Sequence, residues 1–250
     1  MSRARGVKKV ALKKAHKRGT NVLEKERSIR KACALTDSLF SRLVRNFGRF
    51  HTEQDVSAYI KSEIRSKGLR QSFKSIVGSA EGGAEPHHAP KNTPLKEGFC
   101  VIDFGIRVEG YCADLTRTVF LGKPSAKDRA LYNLVLKAQK KPVPHLKHGA
   151  RAAALYEISA KALGKYRKNF IHGLGHGLGK NIHIKPYIKA TSLDILKEGD
   201  IVTVEPGIYF KGKSGIRIED DFLITKHGAR QLTHAPSGLI MLPLPNKKRD

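Results

Sequence analysis

Acidic residues are scarce in this chain. Its 250 residues hold 22 Asp+Glu against 48 Lys+Arg, for a formal net charge of +26 and a sequence pI near 10.2. No run approaches the ~18 apolar residues of a spanning helix, and the opening MSRARGVKKV has no apolar signal core. These absences argue against a membrane span or an export signal and set the expectation of no membrane partner. Cysteine is sparse as well. Cys33, Cys100 and Cys112 form no CxxC pair, and an odd number cannot all pair internally. A disulfide framework is therefore not expected, and a reducing cytoplasmic location is. No low-complexity stretch or linker interrupts residues 26–245. What is present is a chain with 40% hydrophobic residues, long enough for one large domain or two small ones. Its charge points to polyanionic partners but carries no information about fold.

The basicity is uneven. Residues 1–31 carry twelve Lys/Arg and only Glu24 and Glu26 as acids. Over the first eighteen positions this stretch lacks apolar periodicity and reads as a solvated basic tail or a frayed helix. We therefore expect a basic N-terminal tail over 1–25 and a folded unit over 26–250. From Ile29, the positions Ile29, Cys33, Thr36, Phe40, Leu43 and Phe47 recur at helical spacing. Thr52 with Asp55 signals a capped second helix lined by Val56, Ile60 and Ile64 and stopped by Gly68. Strands are expected at 99–105 and 109–120 about a turn near Val108–Gly110. Ser125 with Asp128 opens a third helix, and a fourth spans about 151–163. Further strands are expected at 170–173, 181–184, 200–210 and 215–225. The order helix, helix, strands occurs twice, so the expected class is α+β, a duplicated unit closing on itself.

In so basic a chain the few acids are informative. Asp103 lies in the apolar run Val101–Phe104, Glu205 in Ile201–Glu205 and Glu219 in Ile216–Glu219. A carboxylate inside a buried strand is costly unless a cation or several hydrogen bonds compensate it. For one such residue, a buried pair with Arg or Lys is as good a reading as a metal. Spacing separates the two readings. Asp103 and Asp114 would face each other across a hairpin whose tip is Val108–Glu109, and Glu205 and Glu219 flank Lys211–Gly215 in the same manner. Four converging carboxylates match two divalent ions, with a bridging hydroxide left as nucleophile. Oxygen ligation with one or two imidazoles suits Mn, Co or Fe better than structural zinc. Structural calcium has no use for the histidines that follow.

Those histidines lie in His172-Gly-Leu-Gly-His176-Gly-Leu-Gly-Lys-Asn-Ile-His183. The run fits neither G-x-G-x-x-G nor a P-loop. Its glycines are expected to permit close backbone approach and irregular φ around the imidazoles. A single histidine is usually a surface or core residue; three in twelve residues are more often a site.

Together, Asp103-Phe-Gly, Asp114-Leu-Thr-Arg-Thr, His172-Gly-Leu-Gly-His176, Val204-Glu205-Pro-Gly and Ile216-Arg-Ile-Glu219-Asp-Asp resemble the pita-bread metallopeptidases. That superfamily includes methionine aminopeptidase, aminopeptidase P, prolidase and creatinase, and the similarity covers residues 26–245. The resemblance implies a pseudo-symmetric pita-bread fold, with duplicated helix–strand halves around a curved antiparallel sheet. It implies two divalent metal ions, Mn(2+) or Co(2+), held by Asp103, Asp114, His176, Glu205 and Glu219. Asp114 and Glu219 would be the bridging carboxylates. His172 and His183 resemble the non-ligand histidines that contact substrate and stabilise the tetrahedral intermediate. His87 resembles a third active-site histidine near the scissile bond, with His88 beside it. Arg217 resembles the arginine that supports the metal-site carboxylates.

The mechanism this implies is attack of a metal-bridging hydroxide on the peptide carbonyl, with Glu205 relaying the proton to the leaving nitrogen. His-Gly-x-Gly-His and Ile-Arg-Ile-Glu-Asp-Asp resemble the prolidase and aminopeptidase P branch. The expected substrate is thus a peptide with proline at the second position, either a dipeptide or a longer N-terminus. Two departures stand out: Ile184 occupies a place where an acid is common, and the N-terminal domain usual in that branch is not seen before residue 26. The alternatives are methionine aminopeptidase and a pita-bread nucleic-acid- or ribosome-binding protein. Weak nucleic-acid or ribosome contact is expected through residues 1–31, as is a homodimer.

Overall fold

The computed structural model describes residues 2–244, with side chains from residue 23 onward. Its first helix, α1 (Ser2–Arg45), runs without interruption across residue 25. Most side chains of the expected basic tail therefore lie outside the described residues. The expected stripe from Ile29 to Phe47 is buried at all six positions, Phe47 standing in a short 3-10 turn just beyond the helix. Helix α2 (Glu53–Arg65) opens on the expected capping box. The Thr52 hydroxyl accepts the Asp55 N–H at 3.1 Å, and the Asp55 carboxylate accepts the Thr52 N–H at 2.9 Å. Ser125 and Asp128 start α3 (Ala126–Lys140) in the same way, and α4 (Ala152–Ala162) follows.

Between α2 and α3 lie strands β1 (Arg70–Gln71), β2 (Ile76–Ser79), β3 (Gly98–Asp103), β4 (Ile106–Val108), β5 (Tyr111–Cys112) and β6 (Thr116–Leu121). After α4 come β7 (Gly175–Gly177), β8 (Ile184–Ile188), β9 (Ile201–Val204), β10 (Gly207–Phe210), β11 (Ser214–Arg217), β12 (Asp220–Ile224), β13 (Ala229–Gln231) and β14 (Met241–Leu242). They join as a sheet β14-β6-β3-β2, a sheet β13-β12-β9-β7-β8, the hairpin β10-β11 and the ribbon β1-β4-β5. All pairs are antiparallel except β14 with β6. The helix–helix–strand order thus occurs twice, as expected for an α+β duplication.

Two expected strands fall elsewhere. Residues 170–173 are not paired: the Phe170 N–H bonds back to the Arg167 carbonyl at 3.0 Å, and its ring stacks on Tyr156. The apolar residues there anchor a loop, and pairing starts only at Gly175. Residues 181–183 are likewise loop, with β8 beginning at Ile184.

The core has two parts. One gathers α1 and α2 against β2–β6; the other gathers α3 and α4 against β9–β12. Strand period decides what each face of β9 meets. Val202 and Val204 pack under α3 and α4, whereas Thr203 points the other way and accepts the His176 backbone N–H at 3.1 Å. Helices α3 and α4 therefore cover one face of this sheet; on the opposite face Ile201 and Leu223 join the first core, and His176 turns toward the site.

The two capping boxes give a direct test. Thr52→Ala and Ser125→Ala should each cost about 1 kcal/mol in denaturant unfolding. Because the boxes share no partners, the double variant should show additive losses.

Candidate metal centre

Asp103 and Asp114 come together through a register two residues from the expected one. The hairpin tip is Glu109–Gly110, both in the left-handed region at φ +50° and +84°, with Val108 paired to Tyr111. Such a two-residue turn matches the twist of the strands it joins. It sets Asp103 opposite Thr116 rather than Asp114. Asp114 lies two residues before Thr116, on the same face, and reaches Asp103 as a diagonal neighbour. The second hairpin keeps the expected register throughout. Gly207 pairs with Arg217 and Val204 with Asp220, so Glu205 and Glu219 stand opposite each other at the break between strands. The glycines around His176 act through space and not through φ. Gly173, Gly175, Gly177 and Gly179 are absent from the positive-φ positions, but a Cβ on Gly175 would strike the Thr203 carbonyl and one on Gly177 the Lys185 carbonyl.

These elements line a cavity of about 540 Å³ that includes Asp103, Asp114, His176, Glu205 and Glu219. Single ligand atoms of Asp114, His176 and Glu219 lie within 4.8 Å of one another. His176 Nε2 is 3.3 Å from Glu205 Oε1 and 3.7 Å from Asp114 Oδ2. Arg217 crosses the floor. Its Nη2 donates to Asp103 Oδ2 at 2.7 Å, Nε to Thr116 Oγ1 at 3.1 Å and Nη1 to the Tyr209 hydroxyl at 2.8 Å. Thr116 in turn donates to Glu219 Oε2 at 2.6 Å, and Thr203 to Glu205 Oε1 at 3.2 Å.

Burial is the first cause of every carboxylate shift here, and mutual repulsion adds to it for three of the four. Burial raises Asp103, opposed by Arg217. Glu205 is pushed up to about 8, and Asp114 and Glu219 are raised well above the usual carboxylate range. Burial lowers His176 to about 4, so its imidazole is neutral and free to ligate. Asp103 Oδ1, Asp114 Oδ1 and Glu219 Oε1 are buried and have no hydrogen-bond partner among the described residues. Orphaned carboxylate oxygens converging beside a neutral imidazole fit oxygen-seeking divalent ions.

The remaining expected residues divide. His87 and His183 are solvent-facing on the cavity wall, and among the described residues their ring nitrogens have no hydrogen-bond partner. His88 is buried, with Nε2 2.8 Å from Glu53 Oε2 and Nδ1 3.4 Å from Glu85 Oε2. This leaves His87 as the available one of the pair. His172 lines the cavity, but both its ring nitrogens are engaged, with the Gly173 carbonyl at 2.7 Å and the Tyr209 hydroxyl at 2.9 Å. Burial lowers it to about 3.

Sequence reasoning missed Tyr209, which links Arg217 to His172; its position in an ordinary strand gives no signal. It also missed Asp221. That buried carboxylate accepts the Asp114 backbone N–H at 3.0 Å and the Cys33 thiol at 3.3 Å. Arg117, buried and paired with Asp220 at 2.7 Å, donates to the Glu219 carbonyl and was missed as well.

The shifts fix a pH dependence for the chelated protein. The carboxylates bind protons more tightly folded than unfolded, so their contribution to stability is lost as pH rises from about 4.5 toward about 8. The depressed histidines act oppositely, but only below their unfolded value of 6.5. The Tm of the chelated chain should therefore fall from pH 6.5 to pH 8. Added Mn(2+) should raise it, and more so at pH 8. An equal metal gain at both pH values would contradict the shifts.

Comparison with known proteins agrees with this geometry. The model of metallopeptidase family M24 matches residues 27–226. The chain is 36% identical over 216 residues to a Xaa-Pro dipeptidase of Pyrococcus furiosus, covering 85% of this chain and 62% of that protein. It is 38% identical over 209 residues to an uncharacterized peptidase of Staphylococcus saprophyticus, covering 82% and 60%. Among solved structures, a prolidase from Thermococcus sibiricus superposes with a TM-score of 0.84 at 35% identity, over 88% of this chain and 61% of that one. An X-Pro aminopeptidase from Thermotoga maritima gives 0.84 at 32% identity, over 88% and 63%. The chain thus spans less than two thirds of these relatives' lengths, and over that span its α+β architecture is that of the pita-bread peptidases. With a matched segment that contains the cavity carboxylates and His176, the chain belongs to metallopeptidase family M24.

Proposed function

We propose that this chain is a metal-dependent exopeptidase that hydrolyses the bond between a first residue and a following proline, in dipeptides or at peptide N-termini. The observation that carries this reading is the convergence of four carboxylates and a neutral His176 on one cavity, with three oxygens that have no hydrogen-bond partner among the described residues. Relatives described as Xaa-Pro dipeptidase and X-Pro aminopeptidase support the substrate class. Asp103, Asp114, His176, Glu205 and Glu219 would hold two divalent ions, Mn(2+) or Co(2+), with residues 26–250 as the catalytic unit.

When bound, such ions supply Lewis acidity and a water acidic enough to act as a nucleophile near neutral pH. The chain's own groups do the rest. Glu205, held by Thr203, is a carboxylate able to take a proton at Oε1 and return it to the leaving prolyl nitrogen. That nitrogen has no N–H of its own, which makes proton delivery the demanding step. His87 and His183 offer free ring nitrogens to the scissile carbonyl from the cavity wall. Arg217 holds Asp103 in place. The chain Arg217–Tyr209–His172 sets the imidazole tautomer: the tyrosine accepts from Arg217 and donates to His172 Nε2, leaving Nδ1–H for the Gly173 carbonyl.

The decisive experiment assays metal-reconstituted protein on Xaa-Pro, Xaa-Pro-Xaa and Met-Ala-Xaa peptides. Cleavage of the first two and not the third is expected; failure on every Xaa-Pro peptide sinks the reading, and cleavage of the third alone makes it a methionine aminopeptidase. Asp114→Ala should lower kcat/KM by more than about 100-fold and lose bound metal, since even outer partners of a metal site cost about 10- to 100-fold. Tyr209→Phe should lower kcat/KM about tenfold, the worth of one good hydrogen bond, with metal content unchanged.

A further inference from the structure

The excess charge is not spread over the fold. Residues 32–126 hold thirteen Lys/Arg against ten acids, and residues 169–244 hold nine against seven. Outside the N-terminal stretch, the imbalance sits in residues 127–168, with eleven Lys/Arg against two acids. This segment is the α3–α4 layer and its connections. All eleven cations are exposed: Lys127, Arg129, Lys137, Lys140, Lys141, Lys147, Arg151, Lys161, Lys165, Arg167 and Lys168. The two acids offset only one of them. Asp128 is taken up by the α3 capping box, and Glu157 is held by Arg167 at 2.7 Å. Among the described residues, the other ten cations have no acidic partner.

The layer is a continuous surface. Helices α3 and α4 pack together, and the Ser159 hydroxyl donates to the Ala138 carbonyl at 2.9 Å. Buried Tyr132, Val135 and Ala138 fix α3 to the sheet, which turns Lys137, Lys140 and Lys141 outward. Strand β9 separates this layer from the cavity, since Val202 and Val204 face the helices while Thr203 and Glu205 face the site. No residue between 127 and 168 lines the cavity.

We propose that the α3–α4 layer is a docking surface for a nucleic-acid duplex, bound through its phosphate backbone without sequence readout and compatible with an open catalytic cavity. Its chemistry favours this partner. No large apolar side chain between 127 and 168 is exposed; at the edges, Met241 beside Arg129 and Ile195 beside Arg151 are single exposed side chains, not the apolar helix face that membrane insertion uses. Tyr156 and Tyr166 are packed on Phe170 and Phe210 and offer no platform for unstacked bases, which single-strand binders use. What remains is an array of flexible point charges, suited to phosphates on a regular helix.

The test uses the full chain and short duplex DNA and RNA of arbitrary sequence, with affinity measured against salt. K137E/K140E/K141E should weaken binding at least tenfold at low salt and flatten the log–log salt slope by about 3. K137Q/K140Q/K141Q should do so less steeply. K61E/R65E/K67E makes the same change in net charge at the end of α2 and the turn after it, where these side chains are also exposed, and should lose far less. Equal losses in the two reversal variants would overturn the proposal, because net charge or the N-terminal stretch would then carry binding. Tighter binding to phosphatidylserine vesicles than to duplex, or no binding to either duplex, would also overturn it. Peptide hydrolysis should be unchanged in all three variants at a temperature where each is folded, so this outcome does not depend on the peptidase assay.

Discussion

Four carboxylates within one buried cavity repel one another and are each expensive to desolvate. Almost everything near the site can be understood as a response to that constraint. Among the described residues, Arg217 is the single buried cation in contact with them, and it reaches only Asp103 directly. Thr116 and Thr203 donate hydroxyls to Glu219 and Glu205, which softens the cost without neutralising the charge. The remaining imbalance appears as raised carboxylates and as oxygens with no partner. A fold that evolved to stand without ions would have replaced some of these acids. This one holds them rigid, which makes sense only if divalent charge completes the set.

Rigidity comes from the backbone. Each hairpin delivers a pair of acids to one face, and in both cases the register does the work. A tip of two left-handed residues places Asp114 diagonally from Asp103, and an unbroken register across two sheets places Glu205 against Glu219. Glycines let β7 approach β9 and β8 so closely that His176 enters between them. Buried groups then brace the ligating backbone from behind. Asp221 takes the Asp114 N–H, while Arg117 takes the Glu219 carbonyl and pairs with Asp220. Neither touches the cavity, yet each fixes the main chain of a residue that does.

How much of this was legible in the sequence follows the range of the interaction. The capping boxes at Thr52 and Ser125 are local hydrogen-bond patterns, and both form as read. The acids in apolar runs were readable because burial of charge is improbable in any context, so they announced a site before any topology was known. Long-range geometry was less accessible. The two-residue register error arose because nothing marks Glu109 as a left-handed residue. Residues 170–173 read as a strand because Phe170 and Ile171 are apolar, although Phe170 is used for stacking. Tyr209, Asp221 and Arg117 were invisible for a different reason. Their roles depend on partners that lie eight to more than one hundred residues away, and no local pattern carries that information.

The same constraint bears on the net charge. A metal centre built from acids must sit in the interior, where the strands are, and the strand-bearing segments are accordingly close to charge balance. The helices α3 and α4 contribute no residue to the cavity, so their outer faces were free to acquire charge of either sign. Helix C-termini welcome a few lysines through the macrodipole, and Lys137 and Lys140 fall in the last turn of α3. That effect reaches only one turn, however. It gives no reason for Lys147, Arg151 or the basic run at 165–168. An excess held on one layer, left unpaired and set behind the catalytic face is what a second, independent surface requires. Separation by β9 means that neither surface constrains the composition of the other.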